Sequence, residues 1–246
     1  MKSLFAIRTA LALLLSTLQV SLASAENASS ARWLRQNAIS PDGSCIAFAY
    51  QGDIFLVPSQ GGLARQLTSN PAHDTEPLWS ADGKWIVFAS VREGSKDLWA
   101  ISAEGGAPRR LTCYGGSETP LAMTPDGNVL FSANIEDVPG SSVFPGDNKL
   151  YSISLQEALS ADKDKLPVPA RLSSFEICNA SVNASGIMLY EDWKGYEDPF
   201  RKHHTSAVTR DIWKIEGGAY TKLTGYVGED RNPVFAPDGK NFYYLS

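Results

Sequence analysis

The sequence is poor in cysteine, in histidine and in positive charge. Its three cysteines, Cys45, Cys113 and Cys178, are an odd number at wide spacing, so at least one thiol stays unpaired and a disulfide framework is not predicted. The 22 Lys and Arg residues are outnumbered by 27 Asp and Glu residues, which disfavours binding to nucleic acid. The hydrophobic content of 43% is too high for a disordered chain. The composition therefore indicates a globular protein.

Recognisable catalytic motifs are also missing. Nucleophilic catalysis needs a base within hydrogen-bond reach of a serine or cysteine, but the sequence has only three histidines and no Gly-x-Ser-x-Gly turn. It has no His-Glu-x-x-His zinc motif, no phosphate-binding loop and no dinucleotide fingerprint. The sequence therefore predicts no catalytic residue, no metal site and no cofactor in this chain.

Residues 1–25 have the pattern of a secretory signal peptide. A basic start is followed by an apolar run over residues 10–23 and by the small residues Ala23 and Ala25. The alternative is a retained membrane anchor, but polar residues interrupt the run, and a spanning helix needs roughly 20 apolar residues. We expect cleavage before Glu26 and an exported protein, periplasmic or extracellular, with no membrane association after cleavage.

One pattern recurs along the rest of the chain: a tight turn ending in Asp-Gly between two apolar segments. Asp-Gly between apolar runs is a strong hairpin signal, because glycine readily adopts the positive φ of a tight turn. Four copies have their aspartates at Asp42, Asp82, Asp126 and Asp238, and a degenerate copy spans residues 183–186. The first three copies are 40 and 44 residues apart, which is the period of a propeller blade.

Each unit continues with a strand that contains an aromatic residue, and it closes with Leu-Thr or Leu-Ser. These strands begin at Ile54, Leu98, Leu150 and Ile212, and the closing leucines are Leu67, Leu111, Leu172 and Leu223. Four short strands per unit, apolar on both faces, predict an all-β β-propeller whose four-stranded blades pack face to face. The expected blades cover about residues 33–72, 73–115, 116–176 and 177–227, with part of a fifth at 228–246.

The Asp-Gly turns, paired glycines and closing Leu-Thr of residues 38–246 resemble the blades of TolB-type propellers. Four segments are more specific. They are similar to the N-terminal propeller of exported tricorn-like serine peptidases, which are relatives of the carboxyl-terminal-processing peptidases. These segments are residues 74–80, 116–121, 194–213 and 228–235.

The resemblance implies a function that this chain does not complete alone. In that family the propeller precedes a PDZ-like domain and a catalytic region with the serine nucleophile and its histidine base. The chain would then be a non-catalytic propeller portion that gates or guides oligopeptides and packs on the catalytic region. Its implied partners are peptides, those domains and further copies of itself. The alternative is a free-standing TolB-like binding module that recognises an envelope protein.

Five carboxylates precede or begin the first strand of successive units, and such strands line the axis of a propeller. They are Asp74, Glu76, Glu118, Glu229 and Asp230. We expect them at one mouth of the central channel, in contact with peptide. The alternative is a set of solvated turn residues that cap local backbone donors.

An insertion in the fourth unit combines aromatic, charged and histidine residues. It contains Tyr196, Glu197, Asp198, Arg201, His203 and His204. The paired histidines raise the alternative of a metal site, but adjacent side chains of an extended segment point to opposite sides, so both rarely reach one ion. Arg201 also disfavours a bound cation. We expect an ordered loop that docks on another domain.

Overall fold

The structure is a computed structural model, and it describes residues 33–135, 148–195 and 208–246. The expected signal peptide and the expected docking loop, from Tyr196 to His204, lie outside these residues. The strands all belong to one compact unit, Arg35–Ser246.

The first eight strands form two four-stranded antiparallel sheets, each in chain order. Blade one comprises β1 (Arg35–Ile39), β2 (Cys45–Tyr50), β3 (Asp53–Pro58) and β4 (Arg65–Gln66). Blade two comprises β5 (Asp74–Trp79), β6 (Trp85–Glu93), β7 (Ser95–Ser102) and β8 (Arg109–Arg110). Sequential strands that pair with their neighbours are the arrangement of a propeller blade.

The next seven strands form one continuous sheet, because a single long strand serves two blades. These strands are β9 (Glu118–Met123), β10 (Asn128–Ala133), β11 (Lys149–Ser154), β12 (Ala170–Val182), β13 (Met188–Asp192), β14 (Ile212–Glu216) and β15 (Ala219–Lys222). The first part of β12 pairs with β11 up to Glu176, and the part from Ile177 pairs with β13. Blade three thus comprises β9, β10, β11 and the first part of β12, and blade four comprises the second part of β12, β13, β14 and β15. The outer strand of blade three continues as the inner strand of blade four.

Blade five consists of two strands, β16 (Arg231–Phe235) and β17 (Phe242–Leu245). A short helix, α1 (Leu155–Ser160), follows β11 and begins at Ser154, whose side chain accepts a hydrogen bond from the Glu157 N–H. No helix in the described ranges is long and apolar enough to cross a membrane.

Side-chain hydrogen bonds fix the turns between the first two strands of the blades. In blade one the Asp42 carboxylate accepts hydrogen bonds from the Ser40 hydroxyl at 2.6 Å and from the Ser44 N–H at 3.1 Å. These bonds to the charged form lower the pKa of Asp42 to about 2. Gly43 follows with a φ of 72°, which a side chain rarely tolerates. Blade two repeats the arrangement at Asp82.

The apolar core lies between neighbouring blades. Ile54 and Leu56 of blade one pack in one cluster with Ile86 and Phe88 of blade two. Two further clusters join blade two to blade three and blade three to blade four; they include Leu98, Phe131, Tyr151, Leu130, Ile177 and Tyr190. Burial of each large apolar side chain stabilises the fold by about 1.5–3 kcal/mol. The predicted fold class is confirmed: an all-β propeller with four blades and part of a fifth.

Candidate functional site

The first strands of the blades surround a central cavity of about 960 Å³. They are β1, β5, β9, the second part of β12, and β16, and each contacts the next. The cavity is lined by the last residues of these strands and by the tight turns that follow them. Its walls are largely apolar and include Ile39, Leu78, Met123, Val182 and Phe235. This end of the propeller therefore offers a cavity suited to apolar groups.

The predicted carboxylates lie at the other end of the first strands, which we call the inner rim. Asp74 begins β5 and Glu118 begins β9, while Asp230 immediately precedes β16. By chain direction, these positions are the entry ends of the strands, and the tight turns follow the exit ends. The structure therefore brings the predicted carboxylates to one end of the first strands, with differing exposure.

Asp74 is fully buried and forms an ion pair with Arg92. Both of its carboxylate oxygens accept hydrogen bonds from Arg92 Nη2 at 2.7 Å. The guanidinium also lies over two rings, at 5.3 Å from the centroid of Phe88 and 4.7 Å from that of Trp99. The Asp74 charge is thus held within blade two.

Glu76 links three blades at the inner rim. Its φ is 57°, at an irregularity in the pairing of β5 with β6, and its N–H donates to Gln36 Oε1 of blade one at 3.1 Å. Its carboxylate lies 2.7 Å from Lys96 Nζ, which also donates to Thr119 Oγ1 of blade three at 2.9 Å. Such bulges re-aim a side chain and often lie beside functional sites.

Glu118 is a buried carboxyl group with few hydrogen-bond donors to stabilise its negative charge. The Thr112 hydroxyl donates to Oε2, and Oε1 has no hydrogen-bond partner among the described residues. Burial raises the pKa of Glu118 to about 7, and the negative charge of Asp97 adds to this effect. At neutral pH the group is therefore close to half protonated.

Asp230 is buried to 1% exposure, and neither of its carboxylate oxygens has a partner within the described residues. The neighbouring Glu229 is half-buried and accepts a hydrogen bond from Arg231 Nε at 2.7 Å. Arg210 Nε lies 3.9 Å from the same oxygen of Glu229. The charge of Glu229 is thus shared with two arginines.

The basic partners of these carboxylates do not follow from the sequence pattern. Arg92 lies near the end of β6, Lys96 near the start of β7, and Arg210 just before β14, all distant in sequence from the carboxylates that they contact. Arg210 also pairs with the fully buried Glu191. The signal that indicates such partners is the burial of carboxylates itself, because Asp and Glu are almost never fully buried unless paired.

The inner rim has hydrogen-bonding and ionic capacity. No cluster of three or more His, Cys, Asp or Glu suited to a metal ion occurs in the part of the chain that the structure describes. The arrangement can bind polar backbone groups or charged side chains. Peptide contact by Asp74, Glu76, Glu118, Glu229 and Asp230 stays a prediction.

Comparison with known proteins places these features in a family. Residues 31–198 match the model of the tricorn protease N-terminal beta propeller domain. The chain is 28% identical over 213 residues to the uncharacterized peptidase YuxL of Bacillus subtilis, which covers 81% of this chain. It spans only 27% of the length of that relative.

Solved structures share the fold at low sequence identity. The tricorn protease is similar with a TM-score of 0.65 and 20% identity, over 86% of this chain and 20% of that one. A TolB structure from Agrobacterium tumefaciens is similar with a TM-score of 0.61 and 20% identity, over 89% of this chain and 77% of that one. Both show the propeller architecture.

Proposed function

Because the chain belongs to the family of tricorn protease N-terminal β-propeller domains, we propose that it is the non-catalytic propeller portion of an exported serine peptidase that acts on oligopeptides. The observation that carries the proposal is the central cavity of about 960 Å³, lined by the first strands of five blades. A cavity of this size accommodates a few residues of an extended peptide.

The two ends of the first strands differ in a way that supports guidance of a peptide. The inner rim presents fixed polar groups, such as Gln36, Glu76 and Lys96, that are able to orient peptide groups. The opposite end presents apolar walls that favour burial of an apolar side chain. In this proposal the propeller orients and gates peptides, and it packs on a PDZ-like and catalytic region.

The test is peptide binding without cleavage. The full chain is incubated with a mixed oligopeptide library and a serine-reactive probe, and binding is measured by calorimetry. We expect binding, no cleavage and no labelled serine, because acyl transfer needs a nucleophile, a positioned base and oxyanion donors. Labelling of one serine that is lost on replacing His73, His203 or His204 with alanine contradicts the non-catalytic assignment.

A matched pair of variants locates the binding. Ile39 lines the cavity and is 62% exposed, so Ile39→Trp narrows the cavity without disturbing the core. Leu63 is 93% exposed and lies outside the cavity lining, so Leu63→Trp is the control. We expect weaker peptide binding in the first variant only; equal binding by both contradicts a role of the cavity.

The similarity to TolB supports a second candidate, a module that binds a folded envelope protein. This candidate predicts binding to a folded partner that the Ile39→Trp variant leaves intact, with no affinity for short peptides. Export is common to both candidates and is supported by the pattern of residues 1–25. Mass spectrometry of the exported protein tests it, with Glu26 as the expected N-terminus.

A further inference from the structure

Blade four contains a second pocket that shares no lining residue with the central cavity. Its volume is about 360 Å³, and five aromatic rings line it: Phe175, Tyr190, Trp193, Trp213 and Tyr220. Tyr190 and Trp213 are stacked at 6.4 Å between centroids. Phe175 lies 5.7 Å from Tyr190 and 5.8 Å from Tyr220. The rings thus form one contiguous aromatic pocket.

Two carboxylates, Glu176 and Asp192, also line the aromatic pocket. Asp192 is held in place, since Oδ1 accepts from the Asp211 N–H at 2.7 Å and Oδ2 accepts from Trp213 Nε1 at 2.9 Å. Burial raises the pKa of Tyr190 to about 12, and the charge of Asp192 contributes to the shift. The field of this carboxylate therefore reaches the pocket.

The Tyr190 side chain is 4% exposed, and it lines the pocket. A phenol hydroxyl is both a donor and an acceptor, so a ligand in the pocket can donate a hydrogen bond to it.

Two arginines, one over blade two and one over Trp193 of this pocket, show what complements aromatic rings beside a carboxylate. Arg92 lies over Phe88 and Trp99 while it pairs with Asp74. Similarly, Arg210 lies 4.5 Å from the centroid of Trp193 while it pairs with Glu191. In both places a guanidinium group stacks on rings and meets a carboxylate.

Among the described residues, Arg210 stacks on Trp193 of the aromatic pocket, whereas no described cation stacks on the Tyr190 or Trp213 ring. Lys194 and Lys222 are nearby, but both pair with Asp211, and Lys194 Nζ is 3.5 Å from Asp192 Oδ2. Because Lys194 partly neutralises the charge of Asp192, the faces of the aromatic rings supply much of the attraction for a cation in the pocket. This favours a large, weakly hydrated cation over a small inorganic ion.

We propose that the aromatic pocket of blade four binds a guanidinium group, presented by an arginine side chain of a peptide. The group stacks on the Tyr190 and Trp213 rings and donates hydrogen bonds to the Tyr190 hydroxyl and to Asp192. The site is separate from the central cavity, so a peptide held there is anchored on the side of the propeller.

Calorimetric titration of the full chain with three probes tests the proposal. The probes are N-acetyl-arginine amide, its neutral isostere N-acetyl-citrulline amide, and methylguanidinium as the free group. We expect saturable binding of the arginine and methylguanidinium probes and none of citrulline. Equal binding of arginine and citrulline, or no saturable binding at millimolar concentration, overturns the proposal. Binding of methylguanidinium alone overturns the peptide source.

Variants locate the binding. Tyr220 is 51% exposed, so Tyr220→Ala removes a pocket wall without a large loss of core, and we expect about fivefold weaker binding. Tyr190→Phe keeps the ring and removes the hydroxyl, and it should also weaken binding. Tyr226, which is 60% exposed outside the pocket, supplies the control Tyr226→Ala. Equal weakening by Tyr226→Ala contradicts the proposal.

One further variant separates this site from the central cavity. Ile39→Trp should leave binding of the arginine probe unchanged, even where it abolishes binding of longer peptides. Loss of arginine binding in Ile39→Trp places the probe in the central cavity and refutes a separate site.

Discussion

The buried carboxylates of the inner rim differ in how their charge is stabilised. Asp74 meets the guanidinium of Arg92 with both oxygens, whereas Glu118 has one hydroxyl donor and Asp230 has no partner among the described residues. Burial raises the pKa of Glu118, because the neutral form loses less hydration than the charged form. Each residue therefore has a distinct and measurable effect on stability.

Glu118 should make the stability of the fold depend on pH. Its pKa is raised to about 7 in the fold from 4.5, so the folded state binds more protons and is destabilised as pH rises through this interval. Glu118→Gln should remove this loss and be more stable than the parent at pH 8 by on the order of 2 kcal/mol. Urea unfolding at pH 5 and pH 8 measures it, with the exposed Glu104→Gln as control. Identical pH profiles for parent and Glu118→Gln contradict the assignment.

Arg92 should be essential for the burial of Asp74. Removing one partner of a buried ion pair leaves an uncompensated charge, so Arg92→Leu should cost about 3–5 kcal/mol in the free energy of unfolding. The double variant Asp74→Asn/Arg92→Leu should recover most of this loss. The exposed pair of Lys84 with Asp82 gives the control, since Lys84→Ala should change stability by less than about 0.5 kcal/mol. If the losses in free energy of unfolding from the two substitutions simply add in the double variant, Asp74 and Arg92 are not coupled.

Each of the first four blades is closed by a hydroxyl that binds the backbone of its third strand. In blade one the Ile54 N–H donates to the Thr68 hydroxyl at 2.9 Å, and Leu67 N–H donates to the Ile54 carbonyl at 2.8 Å. The same hydroxyl bond recurs from Leu98 to Thr112, from Leu150 to Ser173 and from Ile212 to Thr224. In the closing Leu-Thr or Leu-Ser of the sequence repeat, the hydroxyl thus accepts a hydrogen bond from the third strand of its blade.

Thr68→Val should therefore destabilise the protein although it preserves volume. Thr68 is 3% exposed, and its loss of the hydroxyl leaves the Ile54 N–H without an acceptor, at a cost of about 1–3 kcal/mol. Thr68→Ser keeps the acceptor and should cost less. Thermal and urea unfolding compare the two variants, and a valine variant as stable as the serine variant would refute the role of the hydroxyl.

The repeat predicts the elements well, because glycine turns and closing hydroxyls act locally. The repeat predicts a boundary between blades at residues 176 and 177, but it does not predict that β12 runs unbroken through that boundary. It also does not predict the positive φ of Gln36 and Glu76, because contacts between blades hold these residues. The contact of Arg210 with Glu229, which joins blades four and five, is likewise set by how the blades pack.

At the scale of the whole molecule, blade five leaves apolar surface uncovered. Tyr243 is 70% exposed, Leu245 is 64% exposed and Val234 is 56% exposed, all on its two strands. The facing sides of blades one and two, two and three, and three and four are buried against each other. Exposed apolar patches and unpaired strand edges promote association between chains.

The chain, purified from residue 26 to residue 246, should therefore self-associate. Lysine at exposed apolar positions of an edge strand disfavours such contacts by charge repulsion and hydration, so Tyr243→Lys/Leu245→Lys should shift the chain toward monomer. Leu63→Lys is the control, because Leu63 is more exposed, at 93%, but lies outside blade five. Sedimentation velocity over a tenfold range of concentration measures the association. A monodisperse, cooperatively melting monomer of the unaltered chain would show that the exposed face of blade five does not drive association.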